Sequence, residues 1–206
     1  MAVKGYTTET KVEDYILQDI DPSFSARITE WIGAVEQYID AFTGRNFKAD
    51  AEASARYFDG DGTPELLIDD CIAITKVEAG EDDYGGAFTE IAATGADRYF
   101  LDPLNYAAEG LPIRKVSMRA RTFHGGKQNA RITARWGYSA TPPDAIIFAA
   151  TVLVGGILNQ HRGGGDKITM EKIGNYSVSY DADDENALSD FKQTKEILEK
   201  YRKLYI

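Results

Sequence analysis

The sequence predicts an α+β fold in which an antiparallel β subdomain is inserted into a helical core, made of N-terminal and two C-terminal helices. Three successive patterns indicate it. Apolar residues recur at helical spacing before residue 50, strand-like alternation with many glycine turns follows as far as Tyr138, and helical spacing returns after Pro143. We therefore expect a helical core of residues 1–50 and 139–206, and an inserted β subdomain of residues 51–138.

Two helices are predicted in the N-terminal segment. Thr10 and Glu13 have the spacing of a capping box at the start of the first. Asp21 then supplies an N-cap and Pro22 a proline at the first helical position of the second, which Gly44 ends. The apolar residues of the second helix share one face that must be buried: Ile28, Trp31, Ile32, Val35, Ile39 and Phe42.

Short strands separated by glycine turns are predicted across the β subdomain. The candidate strands are residues 55–58, 65–68, 72–78, 98–101, 113–123 and 129–136. The last two are interpreted as a hairpin with an open tip at residues 124–128. Alternation gives this hairpin an apolar face with Val116, Met118, Ala120, Ile132, Ala134 and Trp136, and a basic face with Lys115, Arg119, Arg121, Arg131 and Arg135.

The C-terminal third begins with a helix of residues 144–161 that is apolar nearly all round, which predicts burial on most sides. Such a helix rarely suits a small monomer. Gly155 and Gly156 weaken it intrinsically by roughly 1 kcal/mol each, so we expect close packing against another backbone.

Three further elements complete the chain. Residues 162–166 predict a mobile, glycine-rich loop, and residues 173–180 a strand with one solvated face. A closing helix follows the acidic turn at residues 181–185, with Leu188, Phe191, Leu198, Tyr201 and Tyr205 on its apolar stripe.

Composition excludes several classes of protein. The net charge of −10 argues against general nucleic-acid binding, although residues 110–143 carry +7 and leave −17 for the rest of the chain. The single cysteine, Cys71, forms no internal disulfide and is expected to be a small core side chain. We see no signal peptide, and the longest apolar run, residues 145–158, is shorter than the roughly 20 residues that span a bilayer.

No motif predicts catalysis. The sequence Asp59-Gly60-Asp61-Gly62 resembles the start of a calcium loop, but Pro64 and Asp70 stand where an EF-hand needs glycine and glutamate. A β-turn is the better interpretation. His124 and His161 are expected in exposed loops and neither belongs to a recognisable triad. We predict no catalytic, cofactor-binding or metal-ligating residue, and hence no enzyme.

The basic face is the strongest candidate for an interaction. Its cations suit a protein partner or self-association better than DNA, because base-stacking aromatics are missing from it, Phe123 at the tip excepted. The alternative is that these cations pair with the chain's own carboxylates or stay solvated.

An ordered set of motifs resembles the head-tail connector (adaptor) proteins of tailed bacteriophages. A strand ends in Trp136-Gly137-Tyr138, Thr141-Pro142-Pro143-Asp144 opens a long apolar helix, and a loop leads to Ile173-Gly174-Asn175-Tyr176-Ser177-Val178-Ser179-Tyr180 before a final helix. The first long helix, ending near Arg45-Asn46-Phe47, and the β insertion are also similar. The likeness therefore covers most of the chain.

The resemblance implies a virion structural protein of the head-tail junction, or neck, assembled in the host cytoplasm. Connector proteins form a homo-oligomeric ring, usually a dodecamer, which docks on the portal protein and carries the tail or a stopper protein. DNA passes through the ring without sequence-specific binding, and no cofactor is needed.

The candidate interface residues come from two sources. Family members contact the portal through their C-terminal part, which maps here to the last helix with Tyr201 and to Leu204, Tyr205 and Ile206. The basic face adds Arg119, Arg121, Arg131 and Arg135. The alternative function is a soluble metal- or carbohydrate-binding module that uses Asp59 and Asp61.

Overall fold

The computed structural model describes residues 3–81, 83–84, 86–162, 169–173, 176–180 and 185–203. The chain divides into two compact units: a helical unit of residues 1–47 and 142–206, and a β unit of residues 48–141. Five α-helices and a six-stranded antiparallel sheet lie within the described residues, so the α+β prediction is confirmed.

The elements follow one another in this order: α1 (Glu9–Ile16), a 3₁₀ turn (Pro22–Phe24), α2 (Ser25–Thr43), β1 (Ser54–Gly60), β2 (Glu65–Gly80), β3 (Phe88–Ile91), β4 (Tyr99–Asp102), α3 (Tyr106–Glu109), β5 (Ile113–Met118), β6 (Gly126–Trp136), α4 (Asp144–Arg162), β7 (Thr169–Ile173), β8 (Tyr176–Tyr180) and α5 (Glu185–Tyr201).

The N-terminal helices begin differently from the prediction. Thr8, not Thr10, caps α1, and its Oγ1 accepts a hydrogen bond from the Lys11 backbone N–H at 3.3 Å, so the predicted capping box is wrong. Asp21 caps the 3₁₀ turn rather than α2 itself, because its carboxylate accepts from the Ser23 backbone N–H at 2.8 Å. Gly44 ends α2 with a φ of 67°, as predicted.

Helix α4 is buried largely by its own chain. It contacts α1, α2, α5 and β8, and Ile146, Ala149, Ala150 and Val154 are fully buried. The expected close approach at Gly155 is to a side chain rather than a backbone, since a Cβ there would lie 2.8 Å from Cδ1 of Tyr15 on α1. One copy of the chain thus covers most of this apolar helix without a neighbour.

The β unit is a sheet in the order β1-β6-β2-β5-β4, with β3 paired to β2. The predicted hairpin of residues 113–123 and 129–136 is wrong, because β5 and β6 both pair with β2 and not with each other. Two predicted strands, 65–68 and 72–78, are one 16-residue strand with an irregular register between Leu67 and Cys71. The sequence analysis did not predict β3.

One face of this sheet forms the core of the β unit. Alternation identified its residues correctly in Val116, Met118, Ile132, Ala134 and Trp136, which are all buried. Ala120 is exposed because β5 ends at Met118. Phe123 is 1% exposed and therefore belongs to the core rather than to an accessible tip, and Cys71 is buried as predicted.

The segment predicted as a single strand at residues 173–180 is part of a two-stranded antiparallel sheet. Strand β7 ends at Ile173, which is paired with Tyr176 at the start of β8. Of the predicted mobile loop, Arg162 lies in α4 and residues 163–166 fall outside the described residues. None of the described helices combines the length and the apolar content needed to cross a membrane.

Candidate interaction surfaces

The five cations of the predicted basic face do not share a hairpin. Lys115 lies on β5 and Arg119 and Arg121 follow it, whereas Arg131 and Arg135 lie on β6, on the other side of β2. All belong to the outer face of the sheet, the face opposite the core of the β unit, or to its margin. The separation matters because β2 contributes acidic side chains between the two groups.

Arg131 forms the most enclosed ion pair of the outer face. Its Nε and Nη2 donate to the two carboxylate oxygens of Glu78, each at 2.7 Å, and Glu78 is 4% exposed. The guanidinium also lies 4.5 Å from the ring centroid of Phe88. Hydrogen bonds from Arg131, opposed by burial and assisted by Lys76, lower the pKa of Glu78 to about 2.

Three more cations of the predicted face also have partners within the chain. Lys115 Nζ lies 3.0 Å from a carboxylate oxygen of Glu65, and Arg121 Nη2 lies 3.1 Å from one of Asp97. Arg135 Nε donates to a backbone carbonyl at 3.2 Å. Pairing with the chain's own acceptors, the alternative weighed from the sequence, therefore describes most of this face.

Arg119 differs from the others. It is exposed, and among the described residues neither Arg119 nor the neighbouring Arg98 forms an ion pair with a carboxylate. The two are cross-strand neighbours, because the backbone N–H of Arg119 donates to the carbonyl of Arg98 at 3.1 Å, one step beyond the Tyr99–Met118 pair. The Arg98 guanidinium lies 4.8 Å from the ring centroid of Phe100, which is 39% exposed.

Asp59 and Asp61, the residues of the alternative function, each have protein partners. Asp59 accepts from Lys127 Nζ at 2.6 Å and from the Gln128 backbone N–H at 2.9 Å. Asp61 accepts from the backbone N–H and the hydroxyl of Thr63, at 2.9 and 2.7 Å. These bonds lower the pKa of both carboxyls, and the Asp61 contacts form the predicted turn.

The C-terminal candidates are only partly described. Tyr201 is half-buried; its carbonyl accepts from Arg45 Nε at 2.6 Å and its ring meets that of Phe47 edge-on at 5.4 Å. The backbone N–H of Lys203 then donates to the Thr43 carbonyl at 2.7 Å. The end of α5 is thereby tied to the end of α2, while Leu204, Tyr205 and Ile206 lie outside the described residues.

The reactive side chains considered in the sequence analysis are those of His124, His161 and Cys71. His161 is exposed in the last turn of α4, not in a loop, and stacks on Trp31 with centroids 4.7 Å apart. His124 is exposed in a loop, as predicted. Burial raises the pKa of the Cys71 thiol to about 12. Within the described ranges, no three His, Cys, Asp or Glu side chains are grouped to hold a metal ion.

A buried carboxylate in the helical unit was missed from the sequence. Glu36 on α2 is 2% exposed and accepts the backbone N–H groups of Lys4, Gly5 and Tyr6 at 2.7, 2.7 and 2.8 Å. Glu36 follows Val35 and interrupts the apolar stripe of α2. A carboxylate in such a stripe indicates a buried acid that needs hydrogen-bond partners, and this signal is visible in the sequence. We call residues 3–7 the N-terminal strap, because Glu36 fastens them to α2.

The geometry defines an α+β protein with a mixed helical unit and a β unit with a charged outer face. No family model matches the sequence, and no curated protein matches it significantly. Structural comparison does find neighbours.

A protein from the neck of an empty GTA (gene transfer agent) particle, computed with C6 symmetry, superimposes with a TM-score of 0.57. Its sequence identity is 11%, over 100% of this chain and 94% of that one. A protein from the neck of a native GTA particle, computed with C12 symmetry, gives a TM-score of 0.48 at 14% identity, with the same coverage of both chains.

The first neighbour shows that this chain shares the fold of a neck protein from a phage-like particle, over nearly its full length. The resemblance to head-tail connector proteins, drawn from the motifs of residues 129–180, is thereby confirmed at the level of the fold.

Proposed function

We propose that this chain is a structural head-tail connector of a tailed phage or phage-like particle. In this role it forms a homo-oligomeric ring that docks on the portal protein, joins the capsid to the tail or to a stopper protein, and lets DNA pass. The observation that carries the proposal is the full-length likeness in fold to a GTA neck protein, at a TM-score of 0.57.

The charge of the chain supports this role. A net charge of −10 suits a channel through which DNA moves, because a net acidic lining repels phosphate and prevents DNA from adhering. Four outer-face cations have partners in the chain, and this also supports the role, because pairing weakens their attraction for phosphate. A ring at the neck would act by shape and contact, without catalysis or a cofactor.

The described C-terminal region supports portal docking through the end of α5. The Tyr201 carbonyl accepts from Arg45 and the Lys203 backbone N–H donates to Thr43, so the end of α5 has a fixed position beside the end of α2. We propose that this end of the chain is the portal contact, as the resemblance implies.

Removing the chain from a particle-producing strain tests the role. We expect filled or emptied capsids that lack tails, and free tails, in electron micrographs, with complementation by the wild-type chain. Complementation by a variant truncated after Lys203 should fail if the last three residues dock on the portal. Joined particles in the deletion strain would refute the connector function.

A further inference from the structure

Two surfaces of this chain have matching chemistry. The first, the arginine patch, is formed by Arg98, Phe100 and Arg119 on the outer face of the β unit. The second, the leucine knob, is formed by Asp14, Leu17 and Asp19 at the end of α1 in the helical unit. Each surface combines two like charges with an exposed apolar side chain.

The arginine patch is poorly explained by the chain alone. Arg98 and Arg119 are direct cross-strand neighbours on one face, and like charges in that position destabilise a sheet. None of the described carboxylates forms an ion pair with either of them. Phe100, the next outward-facing residue of β4 after Arg98, remains 39% exposed. Arginine beside an accessible aromatic ring is typical of an interface hot spot.

Two features of the leucine knob are energetically unfavourable in the isolated chain. Leu17 is the C-cap of α1 with a φ of 54°, a left-handed conformation that favours glycine or asparagine over leucine. Its side chain is 91% exposed, the highest exposure among the large apolar residues of the described chain. Asp14 and Asp19 are also exposed and line the same shallow depression as Leu17.

We propose that the leucine knob of one subunit docks on the arginine patch of a second copy. Leu17 would pack against Phe100, while Asp14 and Asp19 would pair with Arg98 and Arg119. The two surfaces are different, so the contact is heterologous, and repetition of one heterologous contact builds a ring when the rotation between neighbours closes. This inference rests on the proposed connector function and names the contact that builds its ring.

Charge reversal gives a test that separates the two surfaces. The variant R98E/R119E has acidic groups on both surfaces, and D14R/D19R has basic groups on both. Each variant alone should stay unassembled at concentrations where the wild type forms rings, with the concentration for half-assembly raised about tenfold or more.

An equimolar mixture of the two variants should form rings again. Each reversed surface then faces an oppositely charged surface of the other variant, so the subunits alternate and native mass spectrometry should find an equal and even composition. The variant K48E/R114E, which reverses two exposed cations elsewhere on the β unit, is the matched control and should assemble like the wild type. Circular dichroism checks the fold of each variant, and R119E alone serves if the double change does not fold.

The outcomes are distinguishable. Suppose that the wild type forms rings. If R98E/R119E also forms intact rings, or if the mixture of variants forms none, the proposed contact is wrong and the connector function still stands. Intact rings of R98E/R119E that no longer retain DNA would assign the arginines to phosphate instead and overturn it as well. If the wild type forms no ring, alone or on portal, the proposed function fails and this contact with it.

Discussion

Glu36 provides the sharpest test of how the helical unit is held together. Its carboxylate is buried, and its two oxygens accept three backbone N–H groups of the N-terminal strap at 2.7–2.8 Å. Replacement by glutamine keeps the shape. It places an NH₂ group against one of these donors and removes the negative charge that strengthens all three bonds.

The expected cost follows from these contacts. A hydrogen bond to a charged group contributes about 1.5–3 kcal/mol, and a buried donor left unsatisfied costs about 1–3 kcal/mol. Glu36→Gln should therefore reduce the free energy of unfolding by about 3 kcal/mol. Glu36→Leu, which removes every acceptor, should reduce it by about 4–5 kcal/mol, limited by detachment of the strap into water.

Thermal unfolding measures the difference. At about 2–4 °C per kcal/mol for a chain of this size, Glu36→Gln should lower the Tm by about 6–12 °C. Amide exchange at residues 4–6 should become faster in the same variant. Glu30→Gln, on the exposed side of the same helix, is the control and should change neither. A Glu36→Gln variant that melts with the wild type would refute the role assigned to this carboxylate.

Three further predictions concern the β unit and the interior of α2. Because the folded-state pKa of Glu78 is lowered to about 2, its pairing with Arg131 stabilises the fold above a pH of about 4.5 and is lost as pH falls toward 2. The stability difference between wild type and Glu78→Gln in urea should be about 2 kcal/mol at pH 7, after allowance for solvent around the pair, and should shrink at pH 2–3; a pH-independent difference would contradict this. Gly137→Ala should cost about 2–4 kcal/mol, because φ is 131° and the added Cβ would lie 2.5 Å from a backbone Cα, whereas Gly33→Ala in an open part of α2 should raise stability by up to about 1 kcal/mol; equal melting of the two would refute the reasoning. Millimolar calcium should leave the Tm unchanged, since Asp59 is engaged by Lys127, and a rise that saturates with calcium would revive the metal-binding alternative.

Helical parts of this fold could be predicted well because their apolar spacing is a local property. Ile28, Trp31, Ile32, Val35 and Ile39 are buried as their spacing on α2 predicted. The hydrophobic runs of α4 and the end of α2 at Gly44 were equally readable. These features depend on residues three or four positions apart, which a single sequence displays directly.

Strand pairing was less predictable because it depends on residues far apart in the chain. A glycine-rich stretch between β5 and β6 indicated a hairpin, yet β2 lies between these two strands. Asp69 and Asp70 made β2 look like two strands, although the sheet accommodates them at an irregular step and Asp70 is buried there. Local turn chemistry thus predicted the strands but not their neighbours.

In the candidate surfaces, too, local features could be predicted from the sequence and contacts between distant residues could not. Alternation correctly predicted that the cations avoid the core face, but it could not show that Glu78 on β2 lies opposite Arg131. For the same reason the pair of Arg98 and Arg119 was invisible from the sequence, since 20 intervening residues separate them. The assembly experiments test the interface role of Arg119 together with Arg98.

The most direct test of the connector account is the solution mass of the purified chain, measured by light scattering across concentration with negative-stain images of any large species. The account predicts closed rings with a mass that is a fixed multiple of the 22.8 kDa chain, about twelvefold if the usual connector symmetry holds, in solution or on added portal. A chain that stays monomeric at every concentration and leaves portal unbound would contradict it.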